Sequence, residues 1–224
     1  MAQHNFTSHF SDPEVVIENA ALPLKIVGKT LTNNGTALTV TGAYAWAEGY
    51  KTTASGGNSH AEGAETVASG DYSHAEGAES VASGECAHAE GVDTKAQGRW
   101  SHSEGSLSKA TQDYAHAEGY NTTASGYDAH SEGNQTVASG DNSHAGGAGS
   151  KASGYSSFAH GNNVEMESNN GVAFGAYNSD KTAKFVIGDG VMLNPRDVFK
   201  VDSSGNTWIM INGTLTNISA LLGN

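Results

Sequence analysis

The chain has 224 residues, of which 29 are glycine and 37% are hydrophobic, a composition that argues against one large aliphatic core. A formal net charge of −13 at pH 7 repels phosphate backbones and anionic membranes, so nucleic-acid binding is not expected. A single cysteine, Cys86, excludes a disulfide within the chain, and no apolar stretch approaches transmembrane length, so membrane insertion is not expected.

Residues 1–42 form an N-terminal segment in which short strands are predicted. Apolar residues cluster at Val15-Val16-Ile17 and at Leu24–Val27, and residues 38–41 alternate apolar and polar side chains. The segment lacks a basic stretch followed by an apolar run, so a secretory signal is not expected. We interpret residues 1–42 as a β-rich attachment module.

Residues 43–177 repeat with a period of fourteen. The motif His-Ala-Glu-Gly begins at His60, and it or a close variant recurs in the same register from Trp46 to Val172, which gives ten rows without an insertion. In most rows a second motif follows seven residues later, as in Val-Ala-Ser-Gly at residues 67–70. Because glycine every seventh residue disfavours helices, each row is predicted to be two short strands and two turns.

Side-chain alternation predicts which residues face the interior of each row. Along a strand, Ala61 points one way while His60 and Glu62 point the other, and Ala68 is likewise opposed to its neighbours. With both Ala columns inward, the strands approach closely around an Ala/Ser interior. Rows stacked at about 4.8 Å would form a rod of roughly 45 Å. Because such a thin interior buries little apolar surface, it stabilises a single chain only weakly, and partner chains are expected.

The repeat resembles the head repeats of YadA-like trimeric autotransporter adhesins, whose coils have the sequence Ser-Val-Ala-Ile-Gly followed by Ser-x-Ala-x-Gly. Gly-Val-Ala-Phe-Gly at residues 171–175 matches the first half most closely. The resemblance implies an all-β fold, a left-handed parallel β-roll of 14-residue coils forming a homotrimer. It places the side chains flanking the first-strand Ala at the trimer axis. There the family's apolar residues are replaced by His and Glu.

His and Glu form two columns that we name the His/Glu ladder. Because the pair repeats row after row, a structural hydrogen-bond ladder is favoured over a catalytic or metal site, although ions on the axis remain an alternative. No catalytic residue, metal or cofactor is therefore assigned. The ladder consists of Glu48, His60, Glu62, His74, Glu76, His88, Glu90, His102, Glu104, His116, Glu118, His130, Glu132 and His144.

The ends of the ladder suggest its pairing. Glu48 occurs in a row where Trp46 replaces His, and His144 occurs in a row where Gly146 replaces Glu. Each Glu is therefore predicted to pair with the His of the next row, between chains. Apolar residues take over beyond the ladder, which predicts hydrophobic plugs of the axis. These plugs are Trp46 at one end and Phe158, Val172 and Phe174 at the other.

A turn column with aromatic residues is the candidate contact for a host glycan. It holds Tyr72, Trp100 and Tyr114, with Arg99 and Tyr127 nearby in sequence. Aromatic faces stack on sugar rings, although isolated exposed aromatic residues often have no specific role.

Residues 178–224 are predicted to form a C-terminal β-hairpin cap. Strands are expected at residues 184–188, 197–202 and 207–211, with a turn at residues 203–206. The phrase at residues 199–206 resembles a linker common in phage and prophage tail-fibre proteins. Leu215, Ile218, Leu221 and Leu222 fall at helical spacing, so the last ten residues form either a short trimerising helix or a local cap.

These features favour a non-enzymatic, structural or adhesive fibre segment. The leading hypothesis is a tail-fibre or receptor-binding protein of a phage or prophage virion, which contacts a host-surface glycan or protein and joins other tail or baseplate proteins through residues 1–42. The alternative is the head of a bacterial surface adhesin that binds host matrix or glycans. An enzyme on a β-solenoid would need a unique polar cluster.

Overall fold

The computed structural model describes residues 38–219 together with three N-terminal strands, β1 Glu14–Val15, β2 Leu24–Val27 and β3 Thr30–Asn33. These three strands form an antiparallel sheet in the order β1-β2-β3. The predicted strand at Leu24–Val27 is therefore confirmed, whereas Val16 and Ile17 lie outside the described residues. Residues 38–219 contain no α-helix.

Within residues 38–219 the repeats build two parallel sheets, one strand of each per row. One sheet begins with ten five-residue strands: β5 Trp46–Tyr50, β7 His60–Ala64, β9 His74–Ala78, β11 His88–Val92, β13 His102–Ser106, β15 His116–Tyr120, β17 His130–Asn134, β19 His144–Ala148, β21 Phe158–Asn162 and β23 Val172–Ala176. The other has ten two-residue strands: β4 Thr39–Val40, β6 Thr53–Ala54, β8 Val67–Ala68, β10 Val81–Ala82, β12 Lys95–Ala96, β14 Lys109–Ala110, β16 Thr123–Ala124, β18 Val137–Ala138, β20 Lys151–Ala152 and β22 Glu165–Met166.

Successive rows pair in register with a shift of fourteen residues. His60 lies opposite His74, and Val67 lies opposite Val81. The predicted all-β solenoid with parallel 14-residue coils is therefore confirmed. The interior is as thin as expected, since Ala61 and Ala68 are fully buried and Thr66 is fully buried beside them.

Glycine is required where rows approach most closely. Gly63 has a φ of +107°, and a Cβ there would lie 2.0 Å from the carbonyl oxygen of Gly77. At the other motif, a Cβ on Gly70 would lie 1.9 Å from the carbonyl oxygen of Gly84. The glycines therefore permit backbone contact between rows, which a side chain would prevent.

The left-handed corners of the turns are held mostly by other residues. Tyr72, Trp100 and Glu79 have φ values of 57°, 54° and 59°. Each donates its backbone N–H to a carbonyl of the preceding row, as Tyr72 does to Gly57 at 2.8 Å. At these corners the hydrogen bond to the preceding row accompanies a left-handed backbone conformation that is uncommon for non-glycine residues.

The parallel stacking continues past residue 177. Strand β24 Phe185–Asp189 pairs in parallel with β23, with Phe185 opposite Val172 and Gly188 opposite Gly175. Val186 is fully buried and extends the column of inward Ala residues. The step here is thirteen residues, so this row escapes a search at a period of fourteen.

The chain then forms an antiparallel meander on β24. Strands β25 Asp197–Val201, β26 Thr207–Ile211 and β27 Thr214–Asn217 add to the same sheet in sequence order. The helix considered for the last ten residues is absent at Leu215, which lies in β27. The reason is local, because Asn212 and Gly213 both have positive φ, as a two-residue hairpin turn requires. Leu221 and Leu222 lie outside the described residues.

Candidate functional site: the His/Glu ladder

The histidines of the ladder form a stack along the outward face of the five-residue strands. Ring centroids of successive histidines from His60 to His130 are 4.8–4.9 Å apart, with interplanar angles of 2–19°. The spacing equals the separation of strands in a sheet, so the backbone ladder sets it. The stack breaks at His144, whose ring is turned 79° from that of His130.

The same nitrogen is unsatisfied in every histidine of the His/Glu ladder. Each of these Nε2 atoms is buried and has no hydrogen-bond partner among the described residues. The seven residues are His60, His74, His88, His102, His116, His130 and His144. A buried donor or acceptor without a partner costs about 1–3 kcal/mol, so this face of one chain is incomplete by itself.

The Glu carboxylates lie near these nitrogens but form no hydrogen bond with them. At the two ends the contacts follow the predicted offset: Glu48 to His60 at 3.9 Å, Glu62 to His74 at 3.6 Å and Glu132 to His144 at 3.4 Å. In the middle the nearest contacts lie within one row: His88 to Glu90, His102 to Glu104 and His116 to Glu118, all at 3.7 Å.

Within one chain the nearest contacts of the middle rows therefore do not follow the next-row offset that was predicted between chains. The physical reason is that the His and Glu columns run side by side at one strand spacing, so each nitrogen lies near carboxylates of two rows. His74 illustrates this, because it also lies 3.9 Å from Glu76 of its own row. Pairing between chains remains a prediction.

Burial and mutual repulsion disfavour protonated imidazoles in the stack. Burial first, and then the neighbouring His60, lowers the pKa of His74. Burial also leads the lowering of the pKa of His88, His116 and His144, followed by neighbouring histidines. Among the carboxyls, a hydrogen bond shared with Glu62 raises the pKa of Glu76 and lowers that of Glu62. Burial therefore disfavours the protonated form of these four imidazoles.

Four groups in the ladder have the donor types of a metal site. In each, one ligand atom per residue lies within 4.8 Å of the others. The groups are His60, Glu62 and His74; His88, Glu90 and His102; His116, Glu118 and His130; and Glu132, His144 and His160. His160 was not assigned from the sequence, because it stands in the Glu column two residues after Phe158.

The last group departs from the regular ladder. Gly146 occupies the Glu column between Glu132 and His160, and His160 Nδ1 approaches Glu132 Oε1 to 3.8 Å across it. A groove of about 470 Å³ opens beside this group and is lined also by Glu104 and Glu118. The signal in the sequence was the pair of changes in adjacent rows, Glu to Gly and Glu to His.

The residues expected to plug the axis lie at both ends of the ladder. Trp46 pairs in register with His60, and Val172 with Phe158. Phe158 stacks on His144 with centroids 4.7 Å apart and contacts Phe174 at 5.2 Å. The aromatic run therefore continues the His stack directly.

The turn column brings most of the glycan candidates together. Trp100 and Tyr114 stack with centroids 4.9 Å apart and 10° between planes, and Tyr127 meets Tyr114 edge-on at 5.4 Å. Arg99 lies 5.2 Å from the Trp100 ring and pairs with Asp113. Tyr72 is exposed in the same column, two rows from Trp100. We name Arg99, Trp100, Tyr114 and Tyr127 the aromatic cluster.

Comparison with known proteins supports the repeat assignment. The family model of the YadA head domain repeat matches residues 47–73, 61–84 and 117–143. None of the curated proteins compared with the sequence matches it. The described part of the chain contains no helix of the length and apolarity needed to cross a bilayer. The chain therefore carries YadA head domain repeats, stacked as a parallel β-solenoid with coils of about fourteen residues.

Proposed function

We propose that this chain is a structural and adhesive fibre segment that works as a homotrimer, with the His/Glu ladder as the interface between chains. The single observation that carries the proposal is the row of seven buried Nε2 atoms without partners on one face. A repeated unsatisfied donor or acceptor is completed most economically by the same face of another copy.

The thin interior supports the same interpretation. The inward columns consist mainly of Ala, Ser and Thr, so each row buries little apolar surface of its own. Packing of three rolls would bury the ladder and leave Trp46 at one end and Phe158, Val172 and Phe174 at the other as apolar plugs. The role proposed is therefore structural rather than catalytic.

The aromatic cluster is the proposed contact for a host-surface glycan or protein. It lies in a turn column rather than on the ladder, so it stays accessible when the ladder is covered. Trp100 and Tyr114 are each 44% exposed although they stack on each other. Tyr72 extends the same column as a separate exposed ring.

We infer that the fibre belongs to the tail of a phage or prophage virion. The linker-like phrase at residues 199–206 supports this, and its residues 202–206 form the turn between β25 and β26, where Gly205 has a φ of +87°. In this scheme residues 1–42 attach to other tail or baseplate proteins, residues 43–177 are the repeat region of the roll, and residues 178–224 complete the roll and cap it. The alternative is a bacterial surface adhesin. Neighbouring tail or baseplate genes favour the virion, and neighbouring secretion genes favour the adhesin.

The mass of the chain in solution tests the trimer. Sedimentation should return three times the 23.0 kDa of one chain. His102→Glu should dissociate it, because it adds a carboxylate to the interface beside Glu104. The matched control Lys109→Glu places the same charge on the exposed face of β14 and should leave the trimer intact. A single-chain mass for the unmodified protein would refute the proposal.

A further inference from the structure

Three donor atoms converge where the ladder loses its regularity. Glu132 Oε1 lies 3.4 Å from His144 Nε2 and 3.8 Å from His160 Nδ1. The residues come from β17, β19 and β21, three successive strands of one sheet. Donors bound to one zinc ion at 2.0–2.1 Å in a tetrahedron are about 3.3 Å apart, so small side-chain movements suffice here.

The regular groups of the ladder do not have this geometry. In the group of His60, Glu62 and His74, the two rings are parallel within 2° and 4.8 Å apart. Two nitrogens bound to one zinc ion can be at most about 4.2 Å apart, so the stack would have to open. At His144 it is already open, because the ring is turned 79° from His130 and rests on Phe158.

Gly146 makes room for the convergence. A Cβ at this position would lie 2.3 Å from His160 Nδ1 and 3.0 Å from Glu132 Oε1. Only glycine in this row lets the His160 side chain reach back over β19 to the carboxylate. The change from Glu to Gly in one row and the change from Glu to His in the next therefore work together: the first leaves the space that the His160 side chain of the second occupies.

We propose that Glu132, His144 and His160 form a binding site for a divalent transition metal of the zinc class. Two imidazoles and one carboxylate are a ligand set that suits Zn²⁺, and the groove beside them leaves a fourth position that the described side chains of this chain do not fill. The ion would join three rows of the roll and partner the free Nε2 of His144. The site uses donor atoms of one chain, so it does not rest on the proposed trimer. It differs from the sequence-based expectation, which assigned no metal to the ladder.

The test uses the full chain without an affinity tag, stripped with EDTA and titrated with Zn²⁺ against a chromophoric chelator. One Zn²⁺ per chain is expected, with visible absorption of a tetrahedral complex when Co²⁺ replaces it. His160→Phe and Glu132→Gln should each weaken Zn²⁺ binding by at least about tenfold, the smaller loss seen for outer-shell partners. Phenylalanine is chosen because Phe174 follows His160 in the same column.

Matched controls come from the regular ladder. His74→Phe and Glu62→Gln should bind Zn²⁺ as tightly as the unmodified chain, and circular dichroism checks that every variant is folded. If His160→Phe is unfolded, the isosteric Glu132→Gln carries the test. No retained Zn²⁺, three or more ions per chain, or equal losses in the site and control variants would each overturn the proposal.

Discussion

The side-chain amide of Asn178 forms a matched pair of hydrogen bonds with the backbone of Glu165. The N–H of Glu165 donates to Asn178 Oδ1, and Asn178 Nδ2 donates to the carbonyl oxygen of Glu165, both at 2.8 Å. Glu165 lies in β22, the last strand of the two-residue sheet. The amide therefore stands where the backbone of a further row would pair, and it caps that edge of the roll.

Replacing Asn178 should destabilise the C-terminal end of the roll. Asn178→Ala leaves both backbone groups of Glu165 without these partners in a buried site, which costs about 2–4 kcal/mol in free energy of unfolding. Urea denaturation measures the loss. Asn134→Ala, at an exposed strand end, is the control and should change stability by less than about 0.5 kcal/mol. Equal effects of the two substitutions would rule out the capping role.

Asp and Asn side chains in one turn column tie several rows to the row before them. Asp141 Oδ1 accepts the backbone N–H of Tyr127 at 2.9 Å, and Asn169 Oδ1 accepts that of Tyr155 at the same distance. We expect Asp141→Ala to lower the free energy of unfolding by about 1 kcal/mol. Asp141→Asn should keep most of it, since Asn169 already makes this bond. Denaturant titration of the two variants compares them directly.

A substitution at Glu79, which occupies a left-handed corner, should stabilise the protein. A non-glycine residue with a φ of 59° is strained, and Asn121 and Asn163 already occupy the same corner in other rows. Glu79→Asn should therefore raise the free energy of unfolding by up to about 1 kcal/mol, whereas Glu79→Val should lower it. Thermal unfolding at one pH provides the comparison. A stabilising valine would contradict the assignment of strain.

The His stack should make stability fall on acidification. Burial and neighbouring imidazoles lower the pKa of His74, His88 and His116 below the ordinary value of 6.5. The unfolded chain then binds more protons, so the stabilisation is full above 6.5 and is lost as pH falls toward the lower folded values.

The melting temperature measured at about pH 5.5 should therefore lie below that at pH 7.5, at about 2–4 °C for each kcal/mol lost. His88→Phe removes one titrating ring and should flatten this dependence. The variant uses a residue type that the same column accepts at Phe158. An unchanged pH profile would show that the stack does not titrate with folding.

The aromatic cluster should carry binding to surface glycans. Trp100→Ala and Tyr114→Ala remove the two stacked rings, so adsorption of labelled protein to host cells should fall by more than about tenfold, as it does when an interface hot spot is truncated. Tyr120→Ala is the control, because Tyr120 is 49% exposed but lies at the end of β15, away from the turn that holds the cluster. Unchanged adsorption of both cluster variants would remove this site.

The period of fourteen was sufficient to predict the architecture of the repeats. The alternation at His60-Ala61-Glu62 implied the buried Ala columns, because side chains of a strand must point to opposite faces. The regular spacing implied in-register parallel rows for the same reason, since each row can only repeat the last. The location of Phe158 beside His144 followed from this register as well.

Features that break the period needed the tertiary structure. The row at Phe185–Asp189 lies thirteen residues after its neighbour, and the cap at Asn178 replaces a strand with a side chain. Neither leaves a repeated pattern in the sequence. The Asn212-Gly213 pair was a local signal for a hairpin, but the helical spacing of the neighbouring apolar residues obscured it.

The sequence by itself determined the fold of the roll and which face carries the His/Glu ladder, because both follow from strand alternation and a strict period. Only the tertiary structure decided which Glu meets which His, since this depends on side-chain rotation within one strand spacing. The rotated ring of His144 is visible only in the tertiary structure. The same is true of the contact between His160 and Glu132 across Gly146, which joins two residues 28 positions apart in the chain. Those contacts depend on the space that glycine leaves, and that space exists only once the rows are stacked.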